Sequence, residues 1–135
     1  MNPEVTALIE RLAIADWLGF SAEEDEGGVV YALAFEEKHI GNPLIRALHG
    51  GVISAFLEVA AQCEVAARLG AGASVKTVNL DIDYLTSSRA QPMQARARIT
   101  RMGRRLAFVE ATGWQASENK PVAKAQFRLR IGAAD

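Results

Sequence analysis

Ala47-Leu-His-Gly-Gly-Val-Ile-Ser-Ala-Phe-Leu-Glu58 decides how this chain is read. His49, Gly50 and Gly51 open a run that stays almost wholly apolar through Ala67, broken only by Ser54, Glu58, Gln62, Cys63 and Glu64. Ser54, Glu58 and Gln62 recur at i, i+4 and i+8, the spacing that stacks side chains on one face of an α-helix. The pattern predicts a helix over residues 50–69, ended by Gly70-Ala-Gly72. A helix apolar on nearly every other face is a buried helix. A carboxylate on it needs a reason, because an ionised group held away from water is costly unless it is paired.

Upstream, Asn2-Pro3 reads as a helix start, with Asn as cap and Pro at the first helical position. Val5, Leu8, Ile9 and Leu12 then follow at i, i+3, i+4 and i+7, predicting an amphipathic helix over 3–15 ahead of a core spanning 16–132. Residues 20–24 and 29–35 read as a strand hairpin around the acidic turn Glu23-Glu-Asp-Glu-Gly-Gly28. A loop with Gly41 and Pro43 leads into the long helix.

Downstream, the period changes to two. Val78, Leu80, Ile82 and Tyr84 alternate with Thr77, Asn79, Asp81 and Asp83 in 75–85, which puts Thr77 on the polar face. The same alternation runs through 93–102 and 122–131, and 106–116 lies between turn signals at 102–104 and 117–121. One polar face per strand means antiparallel strands that cover a core on one side. The layout is therefore α+β: a curved antiparallel sheet with one long helix across its concave face.

Composition narrows the function. A chain of 135 residues, half of them hydrophobic, makes one domain with a substantial core. Fifteen basic and sixteen acidic residues leave a net charge of −1, without the basic excess of a nucleic-acid binder. No apolar stretch reaches the roughly 18 residues that a membrane span needs. No secretory signal precedes the first helix, and the lone cysteine, Cys63, fits a reducing, cytoplasmic setting. Neither His39 and His49, ten residues apart, nor Cys63 matches a metal-ligand spacing, so no metal and no cofactor are expected. Cys63 reads as a small core hydrophobe.

Glu58 has two readings: a helix-surface glutamate paired with an arginine, or a buried general base. Its flanks, Phe56-Leu57 and Val59-Ala60-Ala61, favour burial, which raises a carboxyl pKa toward the range where a base works. Gly50 and Gly51 fall at the helix N-terminus, where free backbone N–H groups and the helix dipole favour a developing oxyanion. Glycine there also lets a carbonyl approach without a Cβ in the way. Alternatively, the pair only relieves crowding against the sheet. Gly50 and Glu58 are eight residues apart. On a helix that is about 12 Å, too far to share one carbonyl, so joint action needs two chains and predicts a homo-oligomer with sites at its interface. His49 lacks an orienting carboxylate and reads better as a brace for the glycine turn than as a base.

The His49-Gly50-Gly51 segment followed by Glu58 resembles hotdog-fold acyl-CoA thioesterases of the phenylacetic-acid-degradation type. The resemblance covers residues 15–132. It implies a dimer or dimer of dimers in which the helix carboxylate activates water or attacks the thioester directly. It also assigns Asn42, seven residues before His49, to the thioester carbonyl, and Thr77 to the nucleophilic water. Arg101, Arg104 and Arg105 at the 102–105 turn, with Arg89 in the preceding loop, would hold the phosphates of coenzyme A, unless they serve only the solubility of a turn. Two other readings stay open. A hotdog hydratase or dehydratase would pair His39 with Glu58. A non-catalytic acyl-CoA-binding protein would gain little from a buried Glu58.

Overall fold

The computed structural model describes residues 2–70 and 72–133. Its frame is a six-stranded antiparallel sheet with the helix α3 (Gly50–Leu69) across one face. The strands are β1 (Phe20–Asp25), β2 (Gly28–Leu33), β5 (Ala73–Tyr84), β6 (Met93–Met102), β7 (Leu106–Trp114) and β8 (Ala123–Ala133). Their order in space is β1-β2-β6-β7-β8-β5, so β5 and β1 form the two edges. Two short strands, β3 (Ile40–Asn42) and β4 (Ala47–Leu48), make a separate hairpin that feeds α3. This is the α+β hotdog arrangement expected from the sequence.

Helix and sheet meet through small residues. Ala95, Ala107, Ala111, Ala123 and Ala125 line the buried face of the sheet. Phe56, Leu57, Ala60, Ala61 and Val65 of α3 are fully enclosed above them. At Gly113 even a Cβ would come within 3.2 Å of Leu57 Cδ2 and Met93 Sδ. Small side chains under a helix let its backbone approach closely, and larger helix side chains then fill the remaining space.

Two expectations change. The predicted single helix over 3–15 is two helices, α1 (Pro3–Arg11) and α2 (Ala13–Leu18), broken where Leu12 adopts an extended backbone. The break lets α2 bury Ala15 and Leu18 and turn Trp17 O toward His39, before Gly19 ends it in the left-handed region at φ 63°. The second change is in β5. A bulge between Thr77 and Asn79 leaves Val78 without a partner on β8. One extra residue reverses the alternation. Val78 is therefore 55% exposed, and Thr77 turns inward to face α3.

One buried polar contact ties helix to sheet. Tyr31 on β2 is fully enclosed, and its hydroxyl donates to Glu64 Oε2 on α3 at 2.6 Å. Burial first, and the Glu64 bond second, push the phenol far above its ordinary pKa. Burial, with Glu64 nearby, also pushes the neighbouring Cys63 thiol up to about 12, so it stays protonated as a core hydrophobe. Removing the Tyr31 hydroxyl leaves Glu64 without this partner. Tyr31→Phe should cost about 1.5–3 kcal/mol, the range for a hydrogen bond to a charged group, measured as a lower urea midpoint at unchanged slope.

Candidate active site

His49 caps α3. Its Nδ1 accepts from Gly51 N–H at 2.9 Å, so the ring proton sits on Nε2. Its carbonyl accepts from Val52 and Ile53 N–H. These bonds occupy three of the amides in the first turn. Gly50 N–H has no hydrogen-bond partner among the described residues. Gly51, paired with Gly50 in the sequence reading, thus has its donor taken by the cap. Gly50 is the amide that remains for a ligand.

Neighbouring elements hold this turn in place. Tyr84, at the end of β5, donates to Gly50 O at 2.8 Å, and a Cβ on Gly50 would lie 3.1 Å from its hydroxyl. The β3–β4 hairpin passes so close that a Cβ on Gly41 would lie 2.6 Å from His49 Cα. The buried Ser88 accepts from Leu48 N–H at 3.0 Å, tying the β5–β6 loop to the start of α3. Beside Gly50 is a hollow of about 390 Å³, lined by Leu48, Ile53, Tyr84 and residues 86–88 among others.

Glu58 does not line that hollow. It lies two turns along α3 and is half-buried, with fully enclosed Leu57 and nearly enclosed Val59 on either side. Among the described residues it has no hydrogen-bond or ion-pair partner. The stripe Gly50, Ser54, Glu58, Gln62 faces β5, touching Tyr84 at one end and Thr77 at the other, where Gln62 Nε2 donates to Thr77 Oγ1 at 3.3 Å. Thr77 is therefore half-buried against Gln62, which lies one helical turn from Glu58, rather than on the polar face expected for it. Asn42 is exposed in β3, and its Oδ1 accepts from Leu44 N–H at 3.1 Å within the hairpin turn.

The four arginines divide between the ends of the sheet. Tyr84 pairs with Ala123, which pairs with Gly113, so that end carries Gly50 and the loop with Arg89. The β6–β7 turn with Arg101, Arg104 and Arg105 is at the other end, where Leu106 lies opposite Arg130. One chain does not bring them to the Gly50 hollow.

His39 is withdrawn from any pairing with Glu58. It is fully buried, its Nδ1 accepts from Glu36 N–H, and its Nε2 donates to Trp17 O at 3.0 Å. Both nitrogens serve the backbone, which removes the base that the hydratase reading requires. Among the described residues, no group of three His, Cys, Asp or Glu side chains could hold a metal ion, and no helix is long and apolar enough to cross a membrane.

Tyr84, Gly41 and Ser88 carry no signal in the sequence that marks them as parts of this site. Tyr84 appears there only as the last apolar position of a strand, and its contact with Gly50 spans 34 residues.

Comparison with known proteins agrees with the fold. A family model described as the thioesterase superfamily matches residues 46–122, more than half of the chain. No curated protein matches it in sequence. A solved protein of Chromobacterium violaceum is 31% identical over 93% of this chain and 94% of its own, with a TM-score of 0.72. A phenylacetic acid degradation-related protein of Ralstonia eutropha is 25% identical over 94% of this chain and 98% of its own, at a TM-score of 0.80. A Bacillus halodurans protein solved with CoA shares the fold at a TM-score of 0.81, with 22% identity over 100% of this chain and 97% of its own.

Proposed function

The chain belongs to the thioesterase superfamily, and within it we propose an acyl-CoA thioesterase that cleaves its substrate to free acid and CoA. The observation that carries this reading is the pairing of one free amide with one unpartnered carboxylate on the same helix. Gly50 N–H polarises the thioester carbonyl and holds the oxyanion. Glu58 activates water for attack at that carbon, or attacks it directly to give an anhydride that water then cleaves. In this reading Thr77, bonded to Gln62, steadies the attacking water, and the amide N–H groups of Asn42 assist at the carbonyl. His49 braces the turn. The chemistry needs no metal or redox group.

Gly50 and Glu58 act on one substrate only if each comes from a different chain, so the active form is a homodimer or a dimer of dimers. The edges of the sheet favour β5 as the seam. The β1 edge is short and guarded by Glu23, Glu24 and Asp25. The β5 edge is twelve residues long and exposes Val78, Tyr84 and, just beyond, Leu85. An exposed edge with apolar side chains calls for a partner. The stripe bearing Glu58 faces this same edge. A partner there would cover the carboxylate and could carry its own Arg101, Arg104 and Arg105 toward the opposite mouth, on the side of the CoA phosphates.

The direct test is to follow free thiol release from a panel of short, long and aromatic acyl-CoAs. Saturable turnover of at least one is expected. No release above the uncatalysed rate from any of them, with CoA still bound, would leave a non-catalytic acyl-CoA-binding protein as the better reading.

A further inference from the structure

The first turn of α3 is held mostly by its own residues. His49 O accepts from Val52 and Ile53 N–H, and the His49 ring takes Gly51 N–H. The chain just before it is tied to its surroundings, through Leu48 N–H to Ser88 and His49 N–H to His39 O. Gly50 has one such tie among the described residues. The Tyr84 hydroxyl donates to Gly50 O at 2.8 Å from the end of β5, 34 residues away.

That strand end is a firm support. Tyr84 pairs with Ala123 on β8, and the next residue, Leu85, donates its N–H to Val122 O at 2.7 Å. The side chain packs on Gly50 as well as bonding to it: a Cβ there would lie 3.1 Å from the hydroxyl and 3.3 Å from the ring carbon that bears it. Tyr84 also lines the hollow beside Gly50. The peptide between Gly50 and Gly51 has no Cβ on either side to restrict its rotation. The His49 ring holds its N–H, and Tyr84 holds its oxygen. Of these two bonds, only the one from Tyr84 refers the turn to the sheet. An oxyanion donor works at about 2.7–3.1 Å, and a shift of about 0.5 Å takes it out of line.

We propose that Tyr84 is a positioning residue: through Gly50 O, its hydroxyl sets the Gly50 amide at the place where the thioester oxygen gains charge. It acts on the transition state through Gly50 and not on the carrier of the acyl group, so its loss lowers turnover and leaves substrate binding alone. The inference rests on the thioesterase reading, which supplies the oxyanion. Because β5 is also the edge proposed to meet the second chain, one strand end serves both the seam and the amide.

The test is Tyr84→Phe, which keeps the ring and removes the hydroxyl. Turnover of the preferred acyl-CoA should fall about three- to tenfold, as for loss of one neutral hydrogen bond, with KM unchanged. Binding gives a second readout that a purely structural role would not move. A trifluoromethyl ketone joined to the CoA sulfur through one methylene adds water across its carbonyl and, on losing a proton, presents a tetrahedral oxyanion. S-propyl-CoA has no carbonyl. Affinity for the ketone should fall by the same factor as turnover, and affinity for S-propyl-CoA should match the parent. Unchanged turnover and ketone affinity would overturn the proposal, and so would equal losses for both analogues. A loss that tracks dissociation in sedimentation would also overturn it, by assigning the hydroxyl to the seam. A parent that hydrolyses acyl-CoA, with no such split in the variant, removes Tyr84 alone. A parent that releases no thiol and binds the ketone no tighter than S-propyl-CoA removes the thioesterase reading, and the proposal with it.

Discussion

Glu58→Gln should lower turnover of the preferred acyl-CoA by at least about a hundredfold while leaving KM nearly unchanged, in line with what a positioned general base contributes. Glutamine keeps the shape of the side chain and removes the basic oxygen. The surroundings make the variant clean to interpret. Glu58 has no hydrogen-bond or ion-pair partner among the described residues, so no internal bond is lost with the charge. If a nucleophilic rather than a base role applies, turnover falls just as far, and rapid quenching of the parent would then trap acyl group on the protein. Hydrolysis by the variant at close to the parent rate would remove Glu58 from the mechanism altogether.

How far the sequence could be read depended on whether a feature was local. The span of α3 was legible because its signals are local: the His-Gly-Gly opening, continuous apolar character, and glycines after Leu69. The strands were legible from their alternation, and β6 kept its expected bounds. Thr77 was misplaced because a bulge is one extra residue whose effect depends on the partner strand, and β8 lies more than forty residues further on. The break at Leu12 was hidden for a similar reason. Val5, Leu8 and Leu12 keep helical spacing across it, and the demand for a turn comes from His39 and the sheet rather than from the helix itself. In the site, residue types drew attention to Gly50 and Glu58, but only the structure shows which amide stays free. That follows from the His49 ring taking Gly51 N–H and from Tyr84 settling on Gly50 O.

Two inactive variants mixed together should recover about a quarter of native activity, if each site draws Gly50 from one chain and Glu58 from the other. Glu58→Gln supplies chains with an intact glycine turn. Gly50→Val supplies chains with an intact carboxylate, since a Cβ at that position already meets the Tyr84 hydroxyl at 3.1 Å and a branched one crowds the amide further. After unfolding and joint refolding, random assortment makes about half of the dimers mixed. Each mixed dimer holds one site with both lesions and one with neither. The spacing along α3 leaves little room for another outcome, because about 12 Å separates the two groups on one rigid helix. Native mass spectrometry would confirm that mixed dimers have formed, and circular dichroism of Gly50→Val alone would show that this chain folds. Mixed dimers of well-folded chains that stay inactive would place Gly50 and Glu58 in the same chain's site and overturn the two-chain site.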